Sequence, residues 1–318
     1  MDELRTEADL VLSWQHVDKP LVSIACTTYN HARYLSEALH GFLIQETNFP
    51  FEIVIHDDAS TDGTQEIIVS YAERYPRTIR TVLQTVNQHS QGINSALVAF
   101  SHCRGNYIAF CEGDDYWTDP CKLQLQVDMM RSKPAITLTF HDCLLREEAR
   151  GDRTNERACL LEKKTFTLED IVQRDWFIPS QSMVFRADTL QHSAWMHHVF
   201  GLDWAMHLLL AEQGEVHFID RIMGVYRING ASISANRPPG FFQVKHIQTL
   251  SYFNVHTEFR HDELISSRLD RERKLLYLAY LNGQPAYIRF CSLDYYRFKL
   301  GNILKRWRRQ ATSQVKQK

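Results

Sequence analysis

No run of about 18 consecutive apolar residues occurs anywhere in the 318-residue chain, so nothing in it reads as a bilayer-spanning helix. No CxxC pair occurs among the seven cysteines, Cys26, Cys103, Cys111, Cys121, Cys143, Cys159 and Cys291. An odd, scattered set of this kind points to buried free thiols in a reducing compartment rather than to zinc or a disulfide framework. Neither GxGxxG nor GxxxxGK[ST] is present, which argues against a nicotinamide enzyme and a P-loop nucleotide hydrolase. An excess of charge is missing too: 36 Lys and Arg against 38 Asp and Glu leave a net −2, with no global field towards nucleic acid. There is no internal repeat and no low-complexity tract. The opening MDELRTEADL is acidic where a signal peptide is basic, so the expected location is the cytoplasm.

What the chain does have is apolar residues, 44% of the total, enough for a substantial core. Its length, set against roughly 100–200 residues per domain, suits one large domain with an appendage or two domains. From Pro20 to about Leu145, short apolar runs alternate with amphipathic stretches. LVSIAC (Leu21–Cys26), FEIVIH (Phe51–His56), Thr78–Gln84, NYIAFC (Asn106–Cys111) and Ala135–Phe140 read as strands. Arg33–Gln45, Thr64–Tyr75, Gly92–Cys103 and a stretch from Asp119 to about Arg131 read as helices, the last with Asp119 as N-cap and Pro120 at the first helical position. This alternation predicts an α/β fold with a mostly parallel central sheet flanked by helices. The charged segment Arg146–Arg157 is an exposed loop or hairpin tip. Beyond it come a strand near Ser182–Arg186, a helix near Asp203–Ala211 and a strand near Gly224–Ile228, and from Pro238 the chain reads as helices.

In an open parallel sheet, ligands bind beyond the carboxyl ends of the strands. Three of the first four strands end in polar clusters: Thr27-Thr28-Tyr29-Asn30, Asp57-Asp58-Ala59-Ser60 and Glu112-Gly113-Asp114-Asp115. Ser60 to Thr64 suit capping of the following helix. Five carboxylates at two strand ends are a different matter, because packed together they raise one another's pKa. A divalent metal or donors on a ligand would relieve that conflict. Oxygen ligands completed by water suit Mg2+ or Mn2+ holding a diphosphate.

VSIACTTYNHARYLSEAL, FEIVIHDDASTDGT and GNYIAFCEGDDYW, in this order and spacing, resemble the nucleotide-binding half of glycosyltransferase family 2, the inverting enzymes of GT-A fold. The resemblance implies that Thr27, Tyr29 and Asn30 line the base and ribose pocket. It implies that Asp57, beside Asp58, accepts a hydrogen bond from the imide of uracil or thymine. Glu112-Gly113-Asp114 stands where the family has a DXD-type motif, with Asp114 the metal ligand, Glu112 a second candidate in place of the usual Asp, and Asp115 a neighbour of the donor sugar or of the next helix. Asp203, in GLDWAMHLLL, falls where relatives carry the general base, and is alternatively a helix N-cap. Tyr226-Arg227 and Ser232-Ile233-Ser234 resemble the segment that closes over the donor phosphates, with Arg227 offsetting diphosphate charge. Asn229 stands where relatives often carry histidine. Pro179, Ser180 and Ser182 resemble an acceptor-side segment or are a surface loop. Trp117 is a packing residue or a sugar platform. His197, His198 and His207 read as ordinary surface or interface histidines.

The implied activity moves a sugar from a nucleoside diphosphate sugar, with UDP favoured and dTDP second, to a hydroxyl of a glycan or lipid-linked saccharide acceptor in surface polysaccharide biosynthesis. Mn2+ or Mg2+ is the implied cofactor, and nucleic acid is not a partner. The alternatives are a sugar-phosphate nucleotidyltransferase, which normally needs a glycine-rich loop after the first strand, and a nucleotide-sugar-binding protein without catalysis. The expected organisation is an N-terminal extension (1–19), a GT-A domain (20–235, divided at 145) and a helical C-terminal region (236–318). In its tail, Leu300, Ile303, Leu304 and Trp307 are interleaved with Lys305, Arg306, Arg308 and Arg309. Such a helix either lies at the inner face of the membrane as a peripheral contact or docks on protein with a basic face in solvent.

Overall fold

The computed structural model describes residues 4–14, 19–147, 156–175, 177–192, 194–199, 201–229 and 237–281. The chain divides into two compact units, Met1–Ser232 and Ile233–Lys318. The first opens with α1 (Glu7–Leu12), started by a reciprocal capping box between Thr6 and Asp9. It continues through β1 (Val22–Thr28), α2 (Leu35–Leu43), β2 (Phe51–Asp57), α3 (Thr64–Arg74), β3 (Ile79–Leu83), α4 (Ser95–Ser101) and β4 (Tyr107–Glu112). Then follow β5 (Tyr116–Trp117), α5 (Lys122–Ser132), β6 (Ile136–Glu147), β7 (Glu156–Arg157), β8 (Thr165–Phe166), α6 (Leu168–Gln173), β9 (Val184–Arg186), α7 (Leu202–Gln213) and β10 (Glu215–Ile228).

The apolar runs of β1 and β2 are buried at every residue except Thr27, as expected of strands covered on both faces. Helix α2 turns Leu35, Ala38, Leu39, Phe42 and Leu43 into the same core. Its Gly41 allows contact with β5, since a Cβ there would stand 2.6 Å from the Trp117 carbonyl oxygen. The sheet order is β3-β2-β1-β4-β9-β6-β10-β5. The β3-β2-β1-β4 half is parallel throughout. The other half is mixed: β9 enters antiparallel to both β4 and β6, while β10 runs parallel to β6.

Several boundaries differ from the sequence expectation for physical reasons. The helix expected from Asp119 begins at Lys122, because the Asp119 carboxylate accepts from the Cys121 amide at 2.9 Å and closes a turn ahead of the helix. The helix expected from Gly92 begins at Ser95, where the Asn94 side chain accepts from the Ala96 and Leu97 amides. The strand expected at Gly224–Ile228 is the second half of the 14-residue β10, which changes register against β6 twice between Ile219 and Val225 and pairs with β5 through Gly224 and Val225. The flanks of the charged segment form a hairpin, Leu144 opposite Arg157. Among the described cysteines, all six are free thiols; Cys291 lies outside the described residues.

In the second unit, α8 (Phe241–His256) and α9 (Asp262–Leu281) bury Leu250, Phe253, Ile265 and Leu269, and α9 carries a buried Arg268–Glu272 pair at 2.6 Å. No helix among the described residues is long and apolar enough to cross a membrane. Residues 282–318, with the basic tail, and Ser232-Ile233-Ser234 lie outside the described residues.

Candidate active site

Parallel pairing places Thr27 beside Glu112 and Thr28 beside Asp57, so three polar strand ends meet at one edge of the sheet. The loops after β1 and β2 are laced together. The Asn30 amide donates to Ser60 Oγ (2.8 Å) and the Thr61 amide to Asn30 Oδ1 (2.8 Å). The His31 amide donates to Thr64 Oγ1 (2.9 Å) and the Ala32 amide to Asp62 Oδ2 (3.0 Å). The Asp62-Gly63-Thr64 turn opens α3 as expected, with Gly63 at the N-cap and the Asp62 carboxylate accepting from the Thr64 amide at 3.1 Å, while the Ser60, Asp62 and Thr64 side chains also bind the β1 loop. Asn30 holds a left-handed φ of 55°, which asparagine tolerates, and Tyr29 beside it is 48% exposed at the mouth of the site. Burial works against the Asp62 carboxylate, but hydrogen bonds from Thr64 and Ala32 outweigh it and lower its pKa.

Asp57 and Asp58 are both buried, and both carboxylates are answered by donors of the protein. Asp57 accepts from the Ser60 amide (2.9 Å), Ser60 Oγ (2.5 Å), Thr28 Oγ1 (2.8 Å) and Gln65 Nε2 (2.7 Å). Asp58 accepts from the amides of Gln88 (2.7 Å) and His89 (3.0 Å). An imide reading Asp57 must therefore share or displace one of these donors.

The turn after β4 is the opposite case. Burial, then the charges of Asp114 and Asp203, push Glu112 up to about 8. Burial and the Asp114 charge hold Asp115 well above the carboxylate range; its Oδ1 accepts from the Arg227 amide (2.7 Å) and its Oδ2 is buried without a hydrogen-bond partner. Tyr226 is raised by burial and by Asp115, Glu112, Asp203 and Asp114 in turn. These groups share one electrostatic environment. Gly113 is closely hemmed in here: a Cβ would lie 2.6 Å from Thr28 Cγ2, 3.2 Å from His31 Nδ1 and 3.3 Å from Leu35 Cδ1. Asp114, 21% exposed at its side chain, accepts from Asn229 Nδ2 (2.9 Å) and has His31 Nε2 at 3.9 Å.

Asn229 Oδ1 is buried without a hydrogen-bond partner, so an unused oxygen stands next to the Asp114 carboxylate. That donor set fits a hard divalent cation. Among the described residues no three His, Cys, Asp or Glu side chains gather around one point, so such an ion would depend also on ligand oxygens and water.

Asp203 is the second residue of α7, in its first turn, and Gly201 at φ 79° is the N-cap. The carboxylate is therefore a first-turn acid and not the N-cap residue. The 3₁₀ turn Ser180–Ser182 is buried rather than a surface loop, and Ser180 Oγ donates to Glu112 Oε2 at 3.3 Å. Arg227 is folded against the acidic turn, its side chain 2% exposed and paired with Glu37. Trp117 is a packing residue: it is 2% exposed, meets Phe42 edge-on at 4.7 Å, donates to the Gln181 carbonyl (2.8 Å) and carries Lys122 Nζ 3.8 Å from its ring centroid. Burial lowers Lys122 to about 7. His207 is buried, not on the surface, and burial lowers it to about 3.

A parallel half-sheet joined to a mixed half, with an acidic turn at the seam, defines a GT-A fold. The model of the family "Glycosyl transferase family 2" matches residues 23–187, just over half of the sequence, and the chain belongs to that family. It is 38% identical over 207 residues to "Uncharacterized protein Rv1520" of Mycobacterium tuberculosis, covering 65% of this chain and 58% of that one. It is 28% identical over 222 residues to "Uncharacterized glycosyltransferase alr2836" of Nostoc sp., covering 66% of each. The chain thus spans a little under two thirds of the length of these relatives. Among solved structures, S. aureus TarS 1-349 in complex with UDP-GlcNAc shares the fold at a TM-score of 0.59 and 18% identity, over 80% of this chain and 72% of that one.

Proposed function

We propose that the chain transfers a sugar, with inversion, from a nucleoside diphosphate sugar to an acceptor hydroxyl, and that residues 20–235 form the transferase module. UDP is the favoured donor nucleotide and dTDP the second, and the acceptor is a glycan or lipid-linked saccharide of a surface polysaccharide. The observation that carries this reading is the meeting of Glu112 and Asp114 with Asp203 in one electrostatic environment at the carboxyl ends of the strands. The bound UDP-GlcNAc of TarS supports the choice of UDP.

Asp203 takes the proton of the acceptor hydroxyl as it attacks the anomeric carbon from the face opposite the diphosphate. One displacement suffices, so no enzyme nucleophile is needed. Asp114, with the Asn229 amide oxygen, would hold Mn2+ or Mg2+, which would offset charge developing on the leaving diphosphate. Glu112, raised by its surroundings, is protonated at neutral pH before ligand binds and adds no further negative charge beside Asp203. Thr27, Tyr29 and Asn30 line the mouth where base and ribose enter.

The test is product analysis with UDP- and dTDP-sugars, Mn2+ or Mg2+, and saccharide acceptors. Sugar transfer with release of the nucleoside diphosphate is the expected result. Pyrophosphate release from a sugar phosphate and a nucleoside triphosphate, or tight binding without turnover, would overturn the reading.

A further inference from the structure

Arg227 joins segments that lie far apart in the sequence. Its Nη1 donates to the backbone carbonyl of Asp114, its backbone amide to Asp115 Oδ1 at 2.7 Å, and its Nη2 to Glu37 Oε2 in the first turn of α2. The rings of Tyr34 and Tyr116 lie 5.0 and 4.4 Å from the guanidinium. The cation is 2% exposed, whereas Glu37 is 41% exposed. A buried guanidinium needs carboxylate and aromatic partners, and its planar fork lets it satisfy two at once.

The contact to Asp114 matters for what it leaves alone. Arg227 holds the carbonyl of that residue, while the carboxylate faces His31 and Asn229. The same residue carries a stronger attractor for a guanidinium, the Asp114 carboxylate, and pairing there would quench the group that receives the donor. Glu37 occupies the other arm of the fork and keeps it turned away.

We propose that Glu37 is a positioning residue for sugar transfer, acting through Arg227 to pin the acidic turn with the Asp114 carboxylate presented to the donor diphosphate; this rests on the glycosyl-transfer reading above. The role of Glu37 is to engage the cation, not to touch substrate. Neutralising it frees Arg227 to pair with Asp114, which weakens donor capture more than it slows the chemical step.

The experiment compares full-length wild type, Glu37→Gln and Glu37→Asp by steady-state kinetics with the donor that the wild type uses. Hydrogen exchange of residues 112–117 and 225–228 is measured in parallel without ligand. Glu37→Gln should raise donor KM by about 10-fold with kcat changed less than about 3-fold. It should speed exchange in those two segments by about 10-fold while the rest of the chain keeps its protection. Glu37→Asp, which keeps the charge, should recover donor KM to within about 3-fold of wild type. Wild-type KM and exchange in Glu37→Gln would overturn the proposal, as would exchange raised evenly through the chain or a folded Glu37→Asp no better than Glu37→Gln. If the wild type transfers no sugar, the glycosyl-transfer reading falls, and the ligand-free exchange still decides the pinning: local loss of protection sustains it and unchanged protection removes it.

Discussion

Asp57 and Asp58 at the end of β2 lie one strand away from Glu112, Asp114 and Asp115 after β4, and the two groups look alike as sequence. In the fold they differ. The β2 pair accepts six hydrogen bonds from hydroxyl, amide and backbone donors, four on Asp57 and two on Asp58. The β4 group has mutual repulsion, an unpartnered Asp115 oxygen and a raised Glu112. Carboxylates answered by the protein hold loops in place. Carboxylates left in conflict are the ones that a cation or donors on a ligand would relieve. The comparison therefore separates carboxylates the protein satisfies from carboxylates it leaves in conflict, among five residues that composition treats as equivalent.

The largest expected effect is at the unsatisfied turn. Asp114→Asn should cut transfer by about 100-fold or more and remove metal-dependent UDP binding, with the unfolding transition intact. Near-normal activity, or full wild-type activity in chelator, would erase the contrast with β2. Asp203→Asn should lower kcat by about 100-fold with donor KM little changed. Its melting temperature should change little, because Asn keeps an acceptor oxygen in the first turn of α7. A large loss of stability would return Asp203 to a structural role.

Asp57→Asn tests the satisfied side. Four donors converge on a buried carboxylate, and an amide cannot accept all of them, so urea unfolding should show a loss of about 2–3 kcal/mol. Retained stability would mean that the β2 pair is no scaffold. The smallest effect concerns pH. Glu112 binds its proton more tightly folded than unfolded, with its pKa raised from 4.5 to about 8. Its contribution to stability is thus fully present below pH 4.5 and is lost as pH rises through 8. Without metal, Glu112→Gln should unfold at a urea concentration less dependent on pH between 5 and 8.5 than the wild type does. Equal slopes would show that the turn carries no such conflict.

The parallel half was legible because buried strands appear as unbroken apolar runs and their helices as 3.6-residue stripes. The convergence of strand ends followed from that topology. The mixed half was less so. Two-residue strands such as β5 and β8 have no period to read, and the length of β10 was hidden because its bulges interrupt the alternation. At the site, residue types at strand ends were visible, but their satisfaction was not, since it depends on donors such as Gln65 and the Gln88 amide that only the fold brings near. Glu37 was passed over because an acid in the first turn of a helix reads as an ordinary partner of the helix dipole. The only sequence signal for it was its being the one acid in α2.

The contact between Gly113 and Thr28 Cγ2 makes these two positions a lock whose tightest tooth is one methyl group, with His31 Nδ1 and Leu35 Cδ1 just behind it. Thr28 also donates to Asp57, so the three strand ends are linked mechanically through one side chain. A serine at 28 keeps that hydroxyl and drops the methyl group. Gly113→Ala should therefore be poorly tolerated alone and eased by Thr28→Ser, so that each residue sets what the other can become.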